Sequence, residues 1–88
     1  MSITFATYDL RKPGQAWPEM DDALKALKGY RAMQSFWFFE PSVTVDQVVA
    51  AVRRVADTND RWFVGTAKAP ASWNGLGQEW GTWLKKNL

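Results

Sequence analysis

Asp9 closes the alternating run Ile3-Thr4-Phe5-Ala6-Thr7-Tyr8 and is followed by Arg11, Lys12 and a Pro13-Gly14 turn. A carboxylate at the carboxyl end of a strand, beside two cations, suits a hard cation such as Mg²⁺ or Mn²⁺ and the phosphate oxygens that accompany it. Asp9 is therefore the candidate catalytic and metal-ligating residue. Arg11, Lys12 and, on the next strand, Arg31 and Ser35 are candidate nucleic-acid contacts. Mg²⁺ commonly takes one or two protein carboxylates plus waters and phosphates, so two copies of Asp9 across a dimer axis would suffice. The plainer role for Asp9 is to cap its turn through backbone N–H groups, and both readings stay open. An Arg at position 31 equally serves to protect a strand edge. Arg53 and Arg54 suit the negative end of a helix.

The chain has no histidine and no cysteine. That removes imidazole as a base or metal ligand, every Ser-His or Cys-His pair, disulfides and thiolate metal sites. Any catalysis must use carboxylates, Lys, Tyr or a bound cation. A formal net charge of +2 is too slight to draw nucleic acid to the whole molecule, so a local basic patch would be needed. With 88 residues, 47% of them hydrophobic and six of them Trp, the chain is expected to be one small globular domain that gains from self-association. Met1-Ser2 leads into a strand without the basic start of a signal peptide, and no apolar run is long enough to span a membrane; a cytoplasmic protein is expected.

The elements that would position these residues follow from periodicity. Residues 3 to 9 alternate as a strand. Pro18 with Glu19, Asp21 and Asp22 opens a helix to about Lys28, with Met20, Ala23, Leu24 and Leu27 at helical spacing and Gly29 as its expected C-cap. Tyr30 to Glu40, with Phe36-Trp37-Phe38-Phe39, reads as two short strands around a tight turn near Gln34-Ser35, with one long bent strand as the competing reading. Thr44 and Gln47 form a capping box ahead of a valine-rich helix. Arg61 to Thr66 is the last clear strand, with Trp62 and Val64 opposite Phe63. The order β-α-β-β-α-β predicts an α+β, ferredoxin-like antiparallel sheet with two helices on one face over residues 1–67. Residues 68–88 form a Trp-rich loop and a helix from about Gln78, packing on the domain or on a dimer mate.

Two helices cover one face of a sheet, yet the aromatic strands point side chains to both. The second face must be covered by a second copy, by the tail, or by a ligand that stacks on aromatics. Core packing with a homodimer interface accounts for these residues more simply than a base-stacking platform. Trp73, Trp80 and Trp83 likewise read first as packing or as a dimer clasp.

Tyr8-Asp9-Leu10 before a helix, Gly29-x-Arg31-x-x-x-Ser35 before an aromatic strand, and Asp60-Arg61-x-Phe63-Val64 after a second helix resemble the smaller subunit of the CRISPR adaptation complex, related to VapD-type ribonuclease toxins. Tyr8-Asp9-Leu10 with Lys12-Pro13-Gly14-Gln15, and Asn59-Asp60-Arg61 with Phe63-Val64, are also similar to short bacterial and phage proteins labelled SinR-like. The resemblance spans residues 3 to 66. It implies a ferredoxin-like homodimer associated with nucleic acid, with Asp9 from each protomer as the metal ligand of a phosphodiesterase. The chain departs from the CRISPR pattern at Met33 and Phe38, where that family often has Gln and Glu. The alternative function is a non-catalytic module that binds a protein partner through its sheet and tail.

Overall fold

The structure, a computed structural model, describes residues 2–10 and 17–88. Its elements are β1 (Ser2–Asp9), α1 (Trp17–Ala26), β2 (Tyr30–Met33), β3 (Phe36–Phe38), α2 (Val45–Val55), β4 (Arg61–Lys68) and α3 (Gln78–Asn87). The four strands form one antiparallel sheet in the order β2-β3-β1-β4, so the class is α+β. The first strand in the chain is thus central, bonded to β3 on one side and along its whole length to β4 on the other.

The period-2 alternation of the strands sorts their side chains into two layers. Ala6 and Tyr8 from β1, with Trp37, turn toward α1 and α2, where they meet Met20, Leu24, Val48 and Val52 in the main core. Trp62 and Val64 of β4 join this cluster from the edge. Both helices therefore lie on one face, here called the inner face. Helix α2 begins at the Thr44–Gln47 capping box: the Thr44 hydroxyl accepts the Gln47 N–H at 3.2 Å, and the Gln47 side chain accepts the Thr44 N–H at 2.9 Å. Its valines cost helix propensity, and the burial of Val48 and Val52 offsets that cost.

The end of α1 differs from the expectation that Gly29 would supply the left-handed cap. Lys28 takes the positive φ, 61°, while the Gly29 N–H bonds the Leu24 carbonyl at 2.9 Å. Gly29 answers to space. A Cβ there would lie 2.7 Å from the Phe39 ring and 2.8 Å from the Leu24 carbonyl oxygen. The glycine lets β2 leave the helix directly beneath the aromatic core.

On the outer face Ile3, Phe38 and Leu84 form a second core with Trp73, Leu76, Trp83 and Leu88 around it. The tail thus folds back on its own sheet. Tyr30 holds the helix in place from β2, its ring 4.8 Å from that of Trp80 and 5.8 Å from that of Trp83. Helix α3 covers the end of the face that carries Ile3. The end that carries Phe5, Thr7 and Asp9 stays open to different degrees: Phe5 and Thr7 are half-buried and Asp9 is exposed. Among the described residues no helix is long and apolar enough to cross a membrane.

Candidate functional site

The open half of the outer face is built by register. In the β1–β3 and β1–β4 pairings Thr7 stands between Phe36 and Phe63, and Phe5 stands between Phe38 and Gly65. Phe5 is therefore diagonal to both Phe36 and Phe63. It stacks on each in a parallel arrangement, with centroids 5.5 Å from Phe36 and 5.9 Å from Phe63, and planes within 6° and 5°. Stacked rings of this kind add about 0.5–1.5 kcal/mol to the apolar area they bury. Phe63 is nonetheless 64% exposed. Gly65 makes room for this row, since a Cβ there would stand 3.2 Å from the Phe63 ring and 3.3 Å from that of Phe5.

One row further along, Asp9 lies opposite Arg61, and the guanidinium donates to Asp9 Oδ2 at 2.8 Å. The two side chains are 64% and 69% exposed, so the ion pair contributes at most about 1 kcal/mol and can open. Thr7, Tyr8, Asp9, Arg61, Trp62 and Phe63 surround a shallow hollow of about 260 Å³ where β1 and β4 meet. Its walls are an aromatic ring, a methyl-bearing hydroxyl and a compensated pair of charges.

The other expected site residues are dispersed. Arg31 lies on the inner side, its guanidinium 5.4 Å from the centroid of Trp37 and ion-paired with Asp21 of α1. It is separated from Asp9 by the thickness of the sheet. Ser35 sits in the β2–β3 turn, where its carbonyl accepts the Tyr8 N–H at 3.3 Å. Arg11 and Lys12 lie outside the described residues. Arg53, late in α2, stands 5.8 Å from the Trp62 ring. Beneath the site the buried Tyr8 hydroxyl accepts the Trp37 indole N–H at 2.8 Å, and burial raises the Tyr8 pKa above its ordinary value.

The fit of a divalent cation at Asp9 can be judged from the donors. The carboxylate is already engaged by a guanidinium, which a cation would have to displace, and no group of three or more acidic side chains gathers among the described residues. Among the described residues the donors around Asp9 amount to one carboxylate, which does not make a metal centre within one copy.

Sequence reasoning missed two features. Arg61 is the partner of Asp9, and Phe5, Phe36 and Phe63 share one surface. Both depend on register between distant strands. The available signal was parity: once the strand order is fixed, the period-2 phase places the three Phe residues on the face away from the helices.

The fold and this surface define a small α+β domain with a half-covered, aromatic sheet face. No family model matches the chain, and no curated protein sequence matches it.

Proposed function

We propose that the protein is a binding module of the ferredoxin-like class that takes single-stranded nucleic acid on the open half of its sheet, without cleaving it. The strand order β2-β3-β1-β4, with α1 and α2 on one face, supports the ferredoxin-like arrangement. The observation that carries the function is the row Phe36, Phe5 and Phe63, exposed at its Phe63 end and bordered by the solvent-facing Arg61. Aromatic side chains on an open sheet stack unpaired bases whatever their identity, and a neighbouring guanidinium receives the phosphate. Binding without hydrolysis is the reading taken because Asp9 is a single carboxylate beside the row, with no acidic cluster around it among the described residues.

The test is fluorescence anisotropy with labelled single-stranded RNA and DNA of mixed sequence across a salt series. Binding should weaken log-linearly as salt rises, because phosphate contacts release counterions, and should drop for Phe63→Ala. Failure to bind either oligomer at low salt, or salt-independent binding, removes the proposal. In that event the exposed row is a protein-docking surface, the second reading, which the exposed apolar Phe63 favours.

A further inference from the structure

The two edges of the sheet are unlike. β2 is four residues long, carries Arg31 and has a register irregularity between Arg31 and Met33. Such features blunt an edge against unwanted pairing. β4 is eight residues long and runs in unbroken register with β1 from Arg61 to Lys68. It contains no Pro and no bulge, and it is the last strand of the sheet among the described residues. An edge of this length and regularity is a template for another strand.

We propose that a second copy of the chain supplies that strand: two β4 edges pair antiparallel about Val64, giving one continuous sheet. This assembly goes beyond the nucleic-acid reading and does not depend on it. Three correspondences on β4 select both the occupant and the register. Pairing about Val64 places Phe63 opposite the partner's Gly65, and so diagonal to the partner's Phe63. That is the relation Phe5 already has to this strand, opposite Gly65 and stacked on Phe63 at 5.9 Å. The same register sets Lys68, exposed at one end of β4, opposite the partner's Asp60, the turn residue just before its β4, whose carboxylate also accepts the Asp57 N–H, once at each end of the interface. It also joins the two phenylalanine rows edge to edge on one face, so the ring most exposed in the single copy, Phe63, gains a neighbour.

The arrangement has a consequence for Asp9. Asp9 shares a row with Arg61, which would face the partner's Ala67. The two Asp9 residues then stand three strand spacings and six residues apart, roughly 25 Å, too far to share one cation. The open face remains accessible, because the copies meet at their edges.

The chain lacks cysteine, so single introduced thiols report the interface directly. Sedimentation of the full-length protein should show a dimer. Under mild oxidation Val64→Cys should link into covalent dimers faster than Thr58→Cys, because residues directly opposite across an antiparallel pair bring their Cβ atoms to about 5 Å. Lys68→Glu, which sets two carboxylates opposite each other, should weaken the dimer several-fold while leaving the far-ultraviolet circular dichroism unchanged. A monomer throughout the concentration range overturns the proposal. So does a dimer in which Phe5→Cys links faster than Val64→Cys, since that identifies face-to-face packing. If Val64→Cys does not fold, the wild-type mass and the Lys68→Glu comparison decide: a monomer, or a dimer indifferent to the substitution, rejects β4 pairing.

Discussion

The indole N–H of Trp37 donates to the Tyr8 hydroxyl at 2.8 Å, joining two central strands by a side-chain bond inside the core. Tyr8→Phe keeps the ring and removes the acceptor. Leaving a buried N–H without it costs about 1–3 kcal/mol, which chemical denaturation should register as a lower midpoint with unchanged slope.

The same hydroxyl makes stability depend on alkaline pH. Burial is the main cause that raises the Tyr8 pKa above 10.0, so the folded state holds its proton longer than the unfolded state. The contribution is full below pH 10 and disappears as pH rises from there through the folded-state value. Tyr30 is raised as well, chiefly because its hydroxyl donates to Glu40. With two tyrosines in the chain, tyrosinate absorbance of the folded protein should rise later than that of the denatured protein. Coincident titration curves would contradict this.

Asp9→Asn removes a carboxylate from an exposed pair, and the loss in stability should stay within about 1 kcal/mol. It also frees Arg61. Oligonucleotide affinity should therefore rise a few-fold, with a steeper salt dependence, and incubation with Mn²⁺ should leave the oligomer intact for both proteins. Cleavage by the native protein that Asp9→Asn abolishes would restore the phosphodiesterase expectation.

Phe63→Ala separates binding from folding. The side chain is 64% exposed in the single copy, so at concentrations where the protein is monomeric its removal should shift the melting temperature little. Loss of one stacking ring should weaken oligonucleotide binding about tenfold, within the usual 1–3 kcal/mol per stacked base.

Gly29→Ala should be among the most damaging small substitutions in the chain. The added methyl would meet Phe39 and the Leu24 carbonyl at 2.7 and 2.8 Å, and backbone must move to admit it, at about 1–3 kcal/mol. Thr44→Ala, which removes only the capping box of α2, should cost about 1 kcal/mol. A reversed ranking by thermal melting would count against the space-filling account of Gly29.

What was legible in the chain was what short-range chemistry writes there. Thr44 and Gln47 mark the start of α2 because both halves of the box lie within one turn. Gln34-Ser35 marks the β2–β3 turn because polar residues interrupt an apolar run. Gly29 does punctuate the chain after α1, but for a reason local spacing does not carry, since the crowding comes from Phe39, just past β3 and ten residues on. The site was less legible. The Asp9–Arg61 pair joins residues separated by 52 positions, and nothing local to either announces the other. Arg31 could be placed on a strand, but its turn inward toward Trp37 and Asp21 is settled by the helix packed above it. The self-coverage by α3 depended on geometry too: helical spacing shows that Trp80, Trp83 and Leu84 need a surface, not whose surface it is.

The position of β1 at the centre of the sheet also sets an order in time. Of the four strands β1 is made before the others, yet its partner along the full length, β4, is made after them. Until then Ile3, Phe5 and Tyr8 have no finished sheet to enter, and most of their native contacts lie far away in sequence. Long-range pairing of this kind slows folding relative to helical domains of equal size. Nascent chains paused before Arg61 should accordingly be sensitive to protease, while protection should arrive in a single late step once β4 has cleared the exit tunnel.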